Sequence, residues 1–398
     1  MFYNCSMDPI DRLKLLSAQM HLEPAEDAHC VSLIEDPKIS KKREAIFISH
    51  GVLPNGQRIR LLKTLLTSVC ERNCFYCPFR AGRDFRRATF KPEQMAHTFM
   101  ALYKAGIAEG IFLSSGVVNG GVNTQEKMLD TAEILRRRLE YQGYLHIKIM
   151  PGAERGQVER AMLLADRVSI NLEAPNSERL HRLAPHKEFT QELLEPLRWI
   201  DQIRRRSTGK LAWNGYWPSS VSQFVVGGAG ESDVELVQTS EFLFKQLGVK
   251  RAYYSAFTPI PETPLENLPA TSPKRELRLY QVSFLLRDYH FTLEDIPFDT
   301  NGNLPLNQDP KSAWAQTHLE ERPIDINRAE REELLRIPGI GPKSAQAILS
   351  ARRQGQRIQL HNLGDLHSLG VNTKRAAPFI LLDGKRPSYQ LSLWAKTI

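Results

Sequence analysis

The chain has 398 residues, 41% of them hydrophobic, enough to bury a large core in two or three domains, which excludes a disordered or fibrous protein. A formal net charge of +8 and a pI near 9.2 favour contact with polyanions, and thirteen Lys and Arg against eight Asp and Glu over residues 320–398 concentrate that surplus toward the C-terminus. Five cysteines, no leader-like start and no apolar run of about 18 residues predict a reduced, cytoplasmic protein without disulfides or a membrane span.

Residues 1–59 read as an N-terminal extension. Within it, His21 to Cys30 offers metal-ligand types at a spacing that fits no coordination geometry, so it reads as surface loop and helix cap. An apolar strand is predicted over 60–67, followed at once by Cys70-Glu71-Arg72-Asn73-Cys74-Phe75-Tyr76-Cys77. Helices over 92–105 and 124–141 flank a buried strand over 110–116. Strands over 144–150, 167–173, 221–226 and 251–256 then alternate with helices over 154–164, 190–206, 231–247 and 273–289. Six such β–α units imply parallel strands with right-handed crossovers, in a barrel or an open α/β sheet. Residues 295–322, rich in Pro, Asn and Asp, read as a linker; residues 323–384 read as helical hairpins and 385–398 as a tail.

Three thiolates on one short loop can hold three corners of a cubane iron–sulfur cluster and leave the fourth iron open. A structural zinc would need a fourth ligand, for which Cys30, His29 and His50 are candidates. Cys5 and Cys30 stand alone and read as ordinary thiols. The C-x3-C-x2-C pattern, with an aromatic residue before its last cysteine, resembles the cluster loop of the radical S-adenosylmethionine (radical SAM) enzymes. That resemblance implies a partial (β/α)6 TIM-like barrel over residues 60–294, with a [4Fe–4S] cluster on Cys70, Cys74 and Cys77 after the first strand. It also implies reductive cleavage of S-adenosylmethionine to a 5′-deoxyadenosyl radical, with electrons from a donor such as ferredoxin or flavodoxin.

Parallel barrels carry their sites at the carboxyl ends of the strands. On the resemblance, Ser114, Ser115 and Gly116 stand where backbone groups receive the methionine amino group. Asn171 and Glu173 stand where polar side chains meet the ribose. Val226 and Gly228, in Val226-Gly-Gly-Ala-Gly-Glu231, match the glycine motif that lets backbone approach the adenine, on which Tyr76 would pack. Lys148 reads as a cofactor contact or a solvated rim lysine. Arg83, Arg86 and Arg87 read as neutralising an anionic cluster or a substrate phosphate, or as solvated surface.

Pro338-Gly-Ile-Gly-Pro-Lys343, between two helical patterns, forces a tight turn. Asn327 is placed to cap the first helix, and free amides at the start of the second, with Lys343 behind them, suit a phosphate. This segment resembles the helix-hairpin-helix module, a small all-α domain, with Gly339, Ile340, Gly341 and Lys343 as nucleic-acid contacts; residues 363–381 resemble a degenerate second copy. Such a module grips the sugar–phosphate backbone. With Asp309-Pro-Lys-Ser-Ala-Trp-Ala315 ahead of the hairpins, the whole chain resembles a group of radical SAM proteins described as DNA modification or repair proteins and associated with a uracil-DNA-glycosylase-like partner. Lys311 and Trp314 read either as touching substrate or as a packed linker. The implied activity is radical chemistry on DNA; modification of RNA, and a non-enzymatic DNA-binding protein with a structural metal, are the alternatives.

Overall fold

The computed structural model describes residues 7–18, 20, 48–53, 56–206, 212–353 and 360–389. The chain divides into two units, residues 1–231 with 242–272, and residues 232–241 with 273–398. Cys5, His29, Cys30 and the His21 to Cys30 segment lie outside the described residues.

In the first unit the six predicted strands form as β2 (Arg58–Leu65), β3 (Gly110–Ser114), β4 (Tyr144–Lys148), β5 (Arg167–Ser169), β6 (Ser219–Val226) and β7 (Arg251–Ala256). Each pairs in parallel with its predecessor, and the sheet curls into a half-barrel. A seventh strand, β1 (Ile48–Val52), lies antiparallel on the outer side of β2. β3 is buried along its whole length, as expected of a parallel strand covered on both faces. Helices α1 (Pro9–Ser17), α2 (Pro92–Lys104), α3 (Gly120–Glu133), α4 (Arg155–Leu164), α5 (Ser177–Leu183) and α6 (Glu195–Arg206) accompany the strands, and α7 (Asp233–Leu247) runs across the division between the units.

Two elements depart from their predicted bounds. The strand expected over 167–173 stops at Ser169, and Glu173, four residues on, takes a left-handed conformation, φ 66°. It remains tied to β6, its N–H donating to Gln223 O at 2.9 Å and its carbonyl accepting from Val225 N at 2.8 Å. The helix expected over 124–141 starts earlier, at Gly120, where Gly121 lies so close to Pro151 that a Cβ would come within 1.9 Å of its carbonyl oxygen. It closes in a π-helical stretch, Ile134–Arg138. There the buried Arg136 donates to the carbonyls of Leu164, Tyr141 and Gly143 and to Asp166, and lies 3.6 Å over the Trp213 ring.

The second unit contains α8 (Pro273–Asp288), α9 (Pro310–Leu319), α10 (Arg331–Arg336), α11 (Pro342–Arg353), α12 (Leu363–Ser368) and α13 (Thr373–Ala376). Short strands β8 (Ile324–Asp325) and β9 (Ile380–Leu381) pair in parallel and tie the two ends of the hairpin segment together. Its core includes Leu334, Ile337, Ile340, Ile348, Leu366 and Val371 from both hairpins. Asn327 does not cap α10: Glu330 is the N-cap residue, its N–H bonded to the Glu333 carboxylate at 2.8 Å. The Asn327 side chain instead holds both the N–H and the carbonyl of Leu360, because it sits in the turn that follows β8 rather than beside the helix start. Among the described residues, no helix is long and apolar enough to cross a membrane.

Candidate active site

The cysteine loop leaves the carboxyl end of β2 and continues its pairing with the end of β3: Leu66 N donates to Ser114 O at 2.8 Å, and Gly116 N to Thr67 O at 2.7 Å. Gly116 has no room for a side chain, since a Cβ would stand 2.1 Å from Val69 O. The close contact seats the first cysteine, whose Sγ accepts from Val117 N at 3.4 Å. Cys77 Sγ accepts from Phe79 N at 3.4 Å, and Cys74 is buried. Burial pushes the thiols of Cys74 and Cys77 up, against the opposing charge of Lys187 at both, and the neighbouring Cys74 adds to the rise at Cys77, so a metal cluster there would displace their protons.

Arg87 closes the loop: its guanidinium donates to the carbonyls of Ser68, Phe79, Arg80 and Arg83, with the Phe85 ring 4.1 Å away. Arg83 donates to Pro78 O and Pro261 O, each at 3.0 Å, while Arg86 is exposed. Arg83 and Arg87 thus satisfy loop carbonyls, as a chain forced through an irregular path requires. His50 is remote from the cysteines, because it pairs with Arg60, five residues or about 16 Å of strand before the end of β2. That distance removes it as a fourth metal ligand.

Two adjoining cavities, of about 100 and 120 Å³, open at the carboxyl ends of the strands and share Tyr76, Cys77, Lys148, Asn171 and Glu173 in their walls. The smaller reaches Cys70, Cys74 and the Ser114-Ser115-Gly116 turn. The larger is walled by Gln223, Val225 and the segment 255–258, with Met20 from the N-terminal region. Lys148 therefore faces the cavities. Val226 and Gly228 lie outside both walls; Gly228 packs on Leu183 and the Phe257 ring, and the amides of Gly227 and Ala229 donate to Glu231.

Glu173 is the electrostatic centre of these walls. Its Oε1 meets Lys187 Nζ at 3.0 Å, with the two side chains 4% and 9% exposed. Burial raises the Glu173 carboxyl, but the charges of Lys187 and Lys148 outweigh burial and hold it below the usual range. Burial and the nearby Glu173 charge push the Tyr76 phenol well up, so it stays a neutral donor. Asn171 Nδ2 donates to Gln223 Oε1 at 3.1 Å. The left-handed backbone at Glu173 costs about 1–3 kcal/mol and persists only where neighbours over-determine it, a pattern that clusters at functional sites. Lys187 belongs to a segment that also anchors the cysteine loop: Arg72 pairs with Glu192 and donates to His186 O, and Phe75 N donates to Leu183 O at 2.7 Å. Sequence reasoning missed Lys187, in the loop between two helices, Glu192, in a helical stretch, and Arg72, between the cysteines, since isolated charges look like solvated surface until the chain folds over the cysteines.

The walls have the donors and acceptors that a methionyl nucleoside requires. Glu173 is a buried carboxylate beside the Tyr76 phenol and the Lys187 ammonium, and a ribose hydroxyl would add a further donor to it. The carbonyls of Ser114 and Gly116 accept from Leu66 N and the Ser115 hydroxyl, so this turn presents ordered backbone at the cavity wall.

At the hairpins, Gly339 takes φ 87° and a Cβ there would stand 2.3 Å from Asn372 O. Its carbonyl accepts from Asn372 N at 2.9 Å, so the turns of the two copies pack directly on each other. Ile340 is buried and Lys343 is exposed on the first turn of α11. Trp314 packs against Phe291, His318 and the Arg336 guanidinium, so within the second unit the segment is part of the packed structure.

The described residues thus join a half-barrel sheet to three cysteines on the loop after its first parallel strand, and parts of the chain are similar to known families. Residues 64–243 match the Radical SAM superfamily and residues 320–376 match the Helix-hairpin-helix motif. The first match covers just under half of the chain and is a likeness of its barrel segment to radical SAM domains, a family whose members imply a [4Fe–4S] cluster and S-adenosylmethionine; the second is a likeness of the hairpin segment. Similar solved structures include the FeFe-hydrogenase maturase HydG from Carboxydothermus hydrogenoformans (14% identity, 57% of this chain and 51% of that one, TM-score 0.44). Others are methylornithine synthase PylB (16%, 57% and 61%, 0.45) and the radical S-adenosylmethionine methyltransferase TsrM from Kitasatospora setae (15%, 51% and 35%, 0.39). The chain thus spans from about a third to three fifths of these proteins' lengths. No curated protein matches it.

Proposed function

We propose that the protein is a radical SAM enzyme of DNA modification or repair, in which Cys70, Cys74 and Cys77 hold the cluster and the joined cavities hold S-adenosylmethionine. The observation that carries this reading is the continuity of the cysteine loop with a buried cavity whose walls gather Tyr76, Lys148, Asn171 and the Glu173 carboxylate. When bound, the cluster and S-adenosylmethionine supply a 5′-deoxyadenosyl radical by reductive cleavage of the S–C5′ bond. The chain's own part is binding and exclusion. Ser114 to Gly116 present backbone to the amino acid portion, and Lys148 and Lys187 supply positive charge beside Glu173. Asn171 and Glu173 face the ribose, Tyr76 and Val225 shape the nucleoside end, and the apolar part of the wall, Phe79, Val225 and Phe257, limits water near a reactive intermediate.

The helix-hairpin-helix motif and the basic C-terminal segment support a nucleic acid as substrate, and a duplex would have to present its target nucleotide unstacked. A uracil-DNA-glycosylase-like partner and a ferredoxin- or flavodoxin-type donor complete this reading. Anaerobic reconstitution followed by reduction in the presence of S-adenosylmethionine tests the enzyme: release of 5′-deoxyadenosine is expected, and its absence from a protein that has gained no cluster would leave a DNA-binding protein with a structural metal. Relative affinity for matched DNA and RNA oligonucleotides separates the two substrate classes, and tighter RNA binding would overturn the DNA assignment.

A further inference from the structure

Lys311 is the least expected charge in the second unit. Asp309 caps α9, its Oδ1 accepting from Ser312 N at 3.1 Å, and Pro310 occupies the first helical position, which sends the Lys311 side chain inward. The residue is 8% exposed. Its Nζ donates to the carbonyl of Ile340, the middle residue of the hairpin turn, at 2.6 Å, and lies 4.5 Å from the centre of the Tyr289 ring. Among the described residues no carboxylate is within ion-pair distance of it. The nearest, Asp309, is engaged by Arg375 at 2.7 Å, and Asp288 across the cavity pairs with Arg287 at 3.1 Å. A buried ammonium without a counter-ion is costly, and an ammonium has three donors, of which Ile340 takes one. A cavity of about 470 Å³ lies beside it, walled by the Gly339 to Pro342 turn, Tyr289, Asn372 and Arg375, large enough for a phosphate with its sugar.

We propose that Lys311, a residue outside the hairpin itself, is part of the phosphate site of the helix-hairpin-helix, a built-in cation under the Ile340 carbonyl that receives a polynucleotide phosphate in this cavity. The inference rests on the nucleic-acid reading above and adds to it the residue that supplies the missing charge. The phosphate would replace the absent carboxylate, while the Gly341 backbone and Arg375, both in the cavity wall, complete its surroundings. Proton linkage follows. Burial and the Arg375 charge push Lys311 down to about 7, with Asp309 opposing, and Tyr289 and Asp288 are the other titratable groups of the cavity wall. An arriving phosphate favours the charged form, so binding takes up a proton, is strongest below pH 7 and weakens as pH rises through that value.

The test is fluorescence anisotropy of a labelled DNA duplex with the cluster-loaded, full-length protein between pH 6 and 9 and across a salt series. Lys311→Met should bind about tenfold more weakly at pH 6, show a salt slope smaller by about one, and lose the fall in affinity with pH that the wild type shows. Lys311→Arg, always charged, should keep the acid-side affinity with a flat profile, and it carries the test if the methionine variant fails to fold. Wild-type affinity, slope and pH profile in Lys311→Met, or a wild-type pH profile in Lys311→Arg, would overturn the proposal. If Lys343→Ala still weakens binding in that case, the nucleic-acid reading survives alone; if the wild type binds no duplex at low salt, both fall.

Discussion

Replacing Lys187 with Met tests the electrostatic account of the candidate active site. At 3.0 Å and an effective dielectric of about 20, the Glu173–Lys187 attraction is about 5–6 kcal/mol before desolvation is counted. Removing one partner of such a buried pair leaves an uncompensated charge and costs about 3–5 kcal/mol, whereas removing both costs much less. Lys148 compensates Glu173 in part, which places Lys187→Met at the lower end, about 3 kcal/mol. The assay is urea unfolding followed by circular dichroism, for the wild type, Lys187→Met, Glu173→Gln and the double variant. The expected pattern is a large loss in Lys187→Met and recovery of most of it in Glu173→Gln/Lys187→Met, because the neutral amide no longer needs a counter-ion. A double variant as unstable as Lys187→Met would refute the reasoning, since the loss would then come from packing of the lysine stem and not from the stranded carboxylate.

Cys74→Ala should abolish the visible charge-transfer absorption of a reconstituted cluster while leaving duplex affinity within about twofold, and loss of both signals would show that the cluster supports the whole fold rather than the barrel site. Gly116→Ala forces a Cβ into the Val69 carbonyl, so it should cost about 1–3 kcal/mol or more in thermal unfolding and lower cluster content, whereas an unchanged melting temperature would mean the loop path is soft. Gly339→Ala meets both a left-handed backbone and the Asn372 carbonyl; duplex affinity should fall with cluster content intact, as read by anisotropy and iron analysis on one sample. Arg136→Met strands the carbonyls of Leu164, Tyr141 and Gly143 together with Asp166, for an expected loss of about 3 kcal/mol or more by urea unfolding.

The strand and helix alternation was legible because each parallel strand is a short apolar run between longer amphipathic segments, and the cysteine loop because ligand spacing is a local property. The Pro-Gly-Ile-Gly turn was legible for the same reason: positive φ at Gly339 is a demand of a few neighbouring atoms. Asn327 shows the limit of that reasoning, since its residue type suited a helix cap while a distant backbone, Leu360, claimed its side chain. Arg87 looked like a charge beside an anionic cluster and is a clamp on carbonyls that only the folded loop points at it.

Chain-local chemistry by itself therefore determined the six alternating β–α units, the three-thiol loop and the hairpin turn. Tertiary structure decided which charges are buried together: Glu173 with Lys187 in the first unit, and Lys311 beneath Ile340 in the second. Those pairings join residues 14 and 29 positions apart, across turns whose geometry no periodicity encodes. The physical reason is that desolvation and the cancellation of charge depend on the whole surround of a side chain, which exists only once the chain has folded.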